Sequence, residues 1–317
     1  MSLDDLNRRT VSRKHLLGIE GFSQDDITTL LDVADVYAAS NEKLRKSTDL
    51  LKGMTQVNLF FENSTRTLIS FELAGKRHGM DVVNFNATAS SLAKGETLAD
   101  TLETVDAMQP TVLVMRHGES GITTSLSKHV NCVLVNAGDG TNEHPTQALL
   151  DALTIRRHLG GFEGKTIAIC GDILHSRVAG SNIRLLSRMG AKVRLVGPKD
   201  FLPADGQFDA ALFDSMDEGI KDADAVMMLR IQKERMGKTS APSEDDYHTH
   251  YGLTAERLKL AHDHAIVMHP GPMNRGVEIS SDVADDRSRS VILEQVTMGV
   301  AVRMAVLDVF TRPLRNT

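Results

Sequence analysis

The chain of 317 residues is long enough for two domains of ordinary size, and 41% hydrophobic with 25% charged residues is the balance of a soluble globular protein. A net charge of -6 leaves no global basic field for nucleic acid, no apolar run approaches a membrane span, and residues 1–20 are too polar for a signal peptide. The two cysteines, Cys132 and Cys170, lie in apolar strand-like runs and read as reduced core residues of a cytoplasmic protein, not a disulfide or a metal pair.

Residues 1–20 carry Arg8, Arg9, Arg13 and Lys14 and read as a polar leader into the first domain. Ser23 with Asp26 three residues on is a helix-start pattern, opening a helix whose Ile27, Leu30, Leu31, Ala34 and Ala38 share a face. Val57–Phe61 reads as a short buried strand. Glu62-Asn63-Ser64-Thr65-Arg66-Thr67 follows, and then Leu68, Phe71 and Gly75 recur at helical spacing until Gly79 closes the helix. The first turn of a helix presents unpaired N–H groups and the positive end of its dipole. Ser64, Thr65 and Thr67 hydroxyls with the Arg66 guanidinium turn that end into a nest of phosphate size. A single hydroxyl suffices for a helix cap, so four consecutive donors favour the anion.

Asp81–Phe85 is a second strand, and β-α-β alternation argues for a parallel sheet with crossover helices. Residues 86–96 are small and polar, without period, as in a functional loop. A helix over Thr97–Met108, a strand over Thr111–His117 and a strand over Cys132–Asn136 follow. Gly138, Gly140 and Asn142 then deliver His144-Pro145-Thr146-Gln147 to a helix running to Gly160, with Pro145 in its first turn. The alternation restarts with strands at Lys165–Cys170, Val193–Val196, Ala225–Leu229 and Ala265–Met268, and a helix over Val178–Met189. Met236–Gly252 lacks an apolar period and reads as a surface lid; Val296, Val300, Met304 and Leu307 mark a final helix.

Ligands of open parallel sheets bind beyond the carboxyl ends of the strands. The polar groups of this chain fall there: Ser64 to Thr67, Arg116, His144 with Gln147, Arg177, Arg230 with Gln232, and His269 to Pro272. The first half suits a phosphate beside a carbonyl or amide. In the second half Arg177 and Arg230 can each grip a carboxylate through two parallel hydrogen bonds. The substrate class is one small phosphorylated carbonyl compound and one carboxylic acid. Gly171-Asp172 after a strand lacks the G-x-G-x-x-G spacing of a dinucleotide fold. The pairs His248/His250 and His262/His264 sit in polar, loop-like sequence without matched cysteines and do not read as zinc ligands.

Phe61-Glu62-Asn63-Ser64-Thr65-Arg66-Thr67, Lys94-Gly95-Glu96-Thr97, His144-Pro145-Thr146-Gln147-Ala148-Leu149-Leu150-Asp151 and Arg230-Ile231-Gln232-Lys233-Glu234-Arg235 resemble the motifs of the transcarbamoylases, in order and at family spacing. The resemblance runs from the first helix to the last and is nearest to the members that act on aspartate. It implies two doubly wound α/β domains, 1–145 for carbamoyl phosphate and 146–295 for aspartate, with 296–317 returning to the first. It also implies an active site between the domains and a homotrimer with shared sites. By motif, Ser64, Thr65, Arg66 and Thr67 would bind the phosphate, and Thr67, Arg116 and His144 would polarise the carbonyl. Gln147, with the Gly271-Pro272 backbone, would hold the carbamoyl amine, and Arg177, Arg230 and Gln232 would take the aspartate carboxylates. Lys94 and either Ser90 or Ser91 would come from the neighbouring subunit. Gly271 departs from relatives that carry leucine there. The implied reaction makes N-carbamoyl-L-aspartate and phosphate, an early step of pyrimidine synthesis, without metal or cofactor. An ornithine-specific relative would carry cysteine in the segment that here reads His269-Pro270-Gly271-Pro272, and a catalytically dead assembly partner would have lost site residues that are all present. The resemblance is compatible both with a free trimer and with one joined to regulatory or dihydroorotase chains.

Overall fold

The computed structural model describes residues 6, 8–44, 46–86, 95–232 and 243–315. The chain divides into two units, one of residues 1–153 and 297–317, the other of 154–296. It passes from one to the other within a helix each time.

The first unit contains α1 (Gln24–Asn41), β1 (Thr55–Phe60), α2 (Thr65–Arg77), β2 (Asp81–Asn86), α3 (Leu98–Asp106), β3 (Val112–His117), α4 (Ile122–Leu126) and β4 (Val133–Asp139), and it shares α5 (Pro145–Leu159) and α11 (Ile292–Arg315) with the second. Its sheet is parallel throughout in the order β2-β1-β3-β4. A strand covered on both faces has no polar side to alternate with, which is why Val112–Met115 and Val133–Val135 are continuous apolar runs and fully buried. Leu59, Leu102, Leu113, Met115 and Leu134 meet in one cluster. The expected capping box is present: Ser23 accepts from the Asp26 N–H while the Asp26 carboxylate accepts from the Ser23 N–H.

The reading of residues 1–20 as a polar leader is corrected by the structure. Leu16 is completely buried and forms a one-residue parallel bridge to Val135, donating to the Leu134 carbonyl and accepting from the Asn136 N–H. An edge strand leaves a row of unpaired amides, and the start of the chain covers part of that row. Leu16, Leu17 and Ile19, next to Arg13, Lys14 and His15, are too short an apolar run to show a period, so the sequence concealed the strand pairing. The segment is also held by the last helix: Arg312 donates to the carbonyls of Leu6 and Arg9 and pairs with Asp308 at 2.8 Å. Asp308 accepts in addition from the Tyr37 hydroxyl and from Arg315.

The second unit contains β5 (Thr166–Cys170), α6 (Arg177–Arg188), β6 (Lys192–Val196), β7 (Ala211–Phe213), α7 (Met216–Ile220), β8 (Ala225–Met228), α8 (Glu244–Tyr251), α9 (Ala255–Leu258), β9 (Ile266–Met268) and α10 (Ser281–Asp285). Its strands are also all parallel, in the order β7-β6-β5-β8-β9. The core gathers Cys170, Val196, Ile220, Val226, Met228, Val267 and Ile279. β7 escaped the sequence reading because it is three residues at the sheet edge with none buried.

The lid reading of Met236–Gly252 is also corrected. Residues 236–242 lie outside the described ones, but 244–251 form α8, so His248 and His250 stand on a helix and not in a loop. Ser243 caps it by accepting from the Asp246 N–H, and Glu244, Asp245 and Asp246 sit at the positive end of its dipole. Tyr247 is its one buried side chain, packed with Phe201, Ile231 and Val277. A helix anchored by one residue in eight shows no apolar rhythm.

Burial opposes the charge on Asp308, but bonding from Arg312 and Arg315 outweighs it and holds the carboxyl below its ordinary value. A depressed carboxyl contributes stability above its unfolded pKa of ~3.9 and loses it as pH falls through the lower folded value. Asp308→Asn leaves Arg312 buried without its counter-charge and should cost about 3–5 kcal/mol. Urea unfolding at pH 7 measures that loss, and the wild-type advantage should shrink below pH 4.

Candidate active site

In a doubly wound sheet the chain reverses its direction of growth at one point, and the loops at the carboxyl ends there diverge to leave a crevice. The first sheet reverses between β1 and β3, the second between β5 and β8. The nest at Ser64 to Thr67, Arg116, Arg177 and Arg230 lie at or just past the ends of these strands, while His144 with Gln147 and the Gly271-Pro272 loop come after the neighbouring β4 and β9.

Ser64, Thr65, Arg66 and Thr67 occupy the turn from β1 into α2. Ser64 is the residue before the helix, yet its side chain makes no capping bond. The cap reading therefore fails on geometry. Register places Arg116, near the end of β3, opposite Phe60 at the end of β1, and the Phe61 N–H donates to the Arg116 carbonyl at 2.9 Å. The Arg116 guanidinium is buried; Nη2 donates to Glu62 Oε1 and Nη1 to the Ala137 carbonyl, both at 3.0 Å. These bonds tie the end of β3 to the nest after β1 and to β4. His144 precedes α5, and both it and Gln147 are buried.

Gln147 Nε2 donates to Asp151 Oδ1 at 2.9 Å, one helical turn on. A carboxylate only accepts, so the amide must turn its NH₂ toward Asp151, leaving Oε1 as the acceptor for a ligand. Behind them Arg303 of α11 lies 5.0 Å from the centroid of the Phe71 ring and donates to the Gly299 carbonyl. Burial first, and then the Arg116 charge, push Arg303 below the usual guanidinium range, while Asp151 pulls the other way.

In the second unit Arg177 begins α6 and is buried, and Ser176 caps that helix by accepting from the Ala179 N–H. Arg230 and Gln232 follow β8, with Arg230 Nη2 donating to Gln232 Oε1 at 3.4 Å. Asp172 is fully buried and joins the two loops. Its Oδ1 accepts from the His175 N–H and lies 2.8 Å from His175 Nδ1, while Oδ2 accepts from the Gln232 N–H. Gly171 makes this approach feasible. Its φ is +131°, and a Cβ would stand 2.4 Å from the Leu229 carbonyl oxygen. Gly271 has φ +66°, which leucine would adopt only under strain. His264 bonds Asp224 and His248 bonds the Val277 carbonyl, which gives these histidines structural partners. Ser90, Ser91 and Lys94, and Lys233 to Arg235 of the motif after β8, lie outside the described residues.

The family profile of the aspartate/ornithine carbamoyltransferase carbamoyl-phosphate-binding domain matches residues 14–157, and that of the Asp/Orn-binding domain matches 163–310. The chain belongs to the aspartate/ornithine carbamoyltransferase family. The aspartate carbamoyltransferase catalytic subunits of Ruegeria pomeroyi and Rhodospirillum rubrum are each 58% identical to it over 96% of the chain, covering 98% and 96% of those proteins. Aspartate transcarbamoylase from Trypanosoma cruzi, solved with carbamoyl aspartate and phosphate, has a TM-score of 0.84 at 35% identity, over 93% of this chain and 95% of that one. The same enzyme with N-(phosphonacetyl)-L-aspartic acid gives 0.85 at 36%, with the same coverage.

Within this carbamoyltransferase the sequence reading assigned no role to Asp151, Arg303, Asp172 or Glu62. Asp151 had a signal, since an amide and a carboxylate four apart on a helix face one another. Arg303 lies 156 positions after Gln147 in sequence, and only packing brings it in.

Ser64→Ala should leave the melting temperature unchanged, where loss of a capping serine costs about 1 kcal/mol. Affinity for inorganic phosphate, read by calorimetry, should fall about tenfold or more, the loss of one hydrogen bond to a charged group. A lowered melting temperature with unchanged phosphate affinity would return Ser64 to the role of a cap.

Proposed function

We propose that the protein transfers the carbamoyl group of carbamoyl phosphate to the amine of L-aspartate, giving N-carbamoyl-L-aspartate and phosphate, an early step of pyrimidine synthesis. The observation that carries this reading is the pairing of an uncapped, hydroxyl-rich helix start in one unit with Arg177 and Arg230 at the two switch-point strands of the other. The first suits a phosphate and the second a dicarboxylate. Two arginines are the wrong recognition set for a diamine such as ornithine, and His269-Pro270-Gly271-Pro272 lacks the cysteine of ornithine-specific relatives. The names of the relatives and the ligands of the Trypanosoma cruzi complexes support the same choice.

In this mechanism Ser64, Thr65, Arg66 and Thr67 hold the phosphate. Thr67, Arg116 and His144 donate to the carbamoyl oxygen. Gln147 Oε1, left as the acceptor by the bond of Nε2 to Asp151, and the Pro272 carbonyl accept from the carbamoyl NH₂, with Gly271 beside them. Arg177, Arg230 and Gln232 grip the aspartate carboxylates. The deprotonated amine attacks the carbonyl carbon, a C–N bond forms, and the C–O bond to phosphate breaks with the electron pair leaving on phosphate. Charge accumulates on the carbamoyl oxygen before departure, and each fixed donor aimed at it is worth ~3 kcal/mol in a dry site. Orienting the two substrates supplies much of the remaining acceleration.

We further propose a cytoplasmic homotrimer in which Lys94 and either Ser90 or Ser91 complete the neighbouring subunit's phosphate site. The support is the family resemblance and the small, polar composition of residues 86–96, whose one cation is Lys94.

Purified protein should form carbamoyl aspartate and phosphate, with ornithine replacing aspartate at well under a hundredth of the efficiency; equal use of both amines would refute the assignment. Arg230→Ala should raise the KM for aspartate by a factor of ten or more, the loss of a charge-assisted contact of ~1.5–3 kcal/mol, and leave carbamoyl phosphate binding intact by calorimetry.

Shared sites have their own signature. Lys94→Ala and Arg66→Ala should each be nearly inactive, whereas mixed trimers made by reversible dissociation should regain activity. In a cyclic trimer of randomly mixed chains roughly a quarter of the sites carry both intact residues. Exchanged trimers that stay inactive would exclude Lys94 from the neighbour's site.

A further inference from the structure

The loop after β9 carries Gly271 and Pro272, and its two ends converge on one buried carboxylate. We propose that Glu278 is a positioning residue for this loop, acting through His269 and Asn274 to hold the Gly271-Pro272 backbone where it meets the carbamoyl amine. The inference rests on the function proposed above.

His269 is 2% exposed and Glu278 is fully buried. The Gly271 N–H donates to His269 Nδ1 at 2.8 Å, so Nδ1 carries the lone pair and the ring proton belongs on Nε2. Nε2 lies 3.1 Å from Glu278 Oε1 and donates to it. The Asn274 N–H donates to the same oxygen at 2.5 Å. The His269 N–H is taken by Gln295 Oε1 at 2.9 Å. Residues 269 and 274 are therefore pinned to one atom, and 271 is pinned to the ring at 269. Pro272 stands inside this closed frame, with no N–H of its own to anchor it.

A purely structural role explains this poorly. Glu278 Oε2 is buried without a hydrogen-bond partner, and burying a carboxylate with one oxygen unsatisfied is costly. What the carboxylate supplies is geometric. Its oxygen takes two donors from opposite ends of the loop, which fixes the direction of the Pro272 carbonyl. A carbonyl that must meet a reacting amide within hydrogen-bond distance tolerates little displacement, since an error of ~1 Å can cost on the order of 10²-fold in rate.

The test compares two ligands that differ by the carbamoyl group. For Glu278→Ala in the full chain, calorimetry should give an affinity for inorganic phosphate within about twofold of wild type. Carbamoyl phosphate affinity should fall about tenfold, the loss of one well-placed hydrogen bond, and kcat about 10²-fold. Glu278→Gln keeps an oxygen for both donors and should stay within about threefold of wild type throughout. If Glu278→Ala fails to fold, His269→Phe keeps a ring without either nitrogen, severs the link from the other side and should show the same selective loss. Equal losses for both ligands, no loss for either, or a Gln variant as damaged as the Ala variant would each overturn the proposal. A wild-type protein that binds phosphate but neither binds nor turns over carbamoyl phosphate would instead overturn the functional reading, and this inference with it.

Discussion

Parallel pairing of β1 with β3 is the constraint on which the first unit depends. Parallel strands all end on the same side, so every residue just past a strand falls along one edge of the sheet. Because Phe60 pairs with Arg116, the nest after β1 and the guanidinium at the end of β3 are neighbours by backbone geometry before any side chain is placed. The Glu62–Arg116 ion pair and the bond from Arg116 to the Ala137 carbonyl then fix an arginine that could otherwise sweep a wide arc. A one-residue slip of that register would turn Arg116 to the other face of the sheet.

The same arrangement recurs in the second unit with different chemistry. There β5 and β8 are the adjacent strands, and Asp172 performs the task that Glu62 and Ala137 share in the first. In both units a buried carboxylate or carbonyl outside the set of candidate ligand-binding residues orients one inside it: Asp151 orients Gln147, Asp172 the Gln232 segment, Glu278 the Pro272 loop. Each uses an acceptor-only group to remove the choice of which way an amide, a backbone N–H or an imidazole faces. Such groups stabilise little by themselves, because burying them costs much of what their bonds return. Their contribution is to hold the candidate residues in one geometry, which is what catalysis by oriented donors requires.

Much of this was legible in the sequence, and the reasons are local. Strands buried on both faces must be apolar throughout, so Val112–Met115 and Ala225–Met228 announced themselves. Candidate ligand-binding residues cluster at strand ends because backbone amides and helix starts are available only there, so Ser64 to Thr67, Arg116, His144 and Gln147 could be read from position alone. Leu16 and the helix around Tyr247 could not. The first rests on a few apolar residues and the second on one, with partners distant in sequence, and so few residues set no period.

The sequence by itself determined the fold class, the strand ends, and the chemical character of the two candidate ligand sites, since these follow from patterning within a few residues. Only the tertiary structure decided which way those groups point. The amide orientation of Gln147, the uncommitted hydroxyl of Ser64 and the ring tautomer of His269 each depend on a partner or on the absence of a capping bond. The placing of Arg303 behind Gln147, and of Leu16 along β4, depends on contacts across more than a hundred positions of chain. Hydrogen-bond direction is a property of pairs in space, and the pairs are made when the sheet closes.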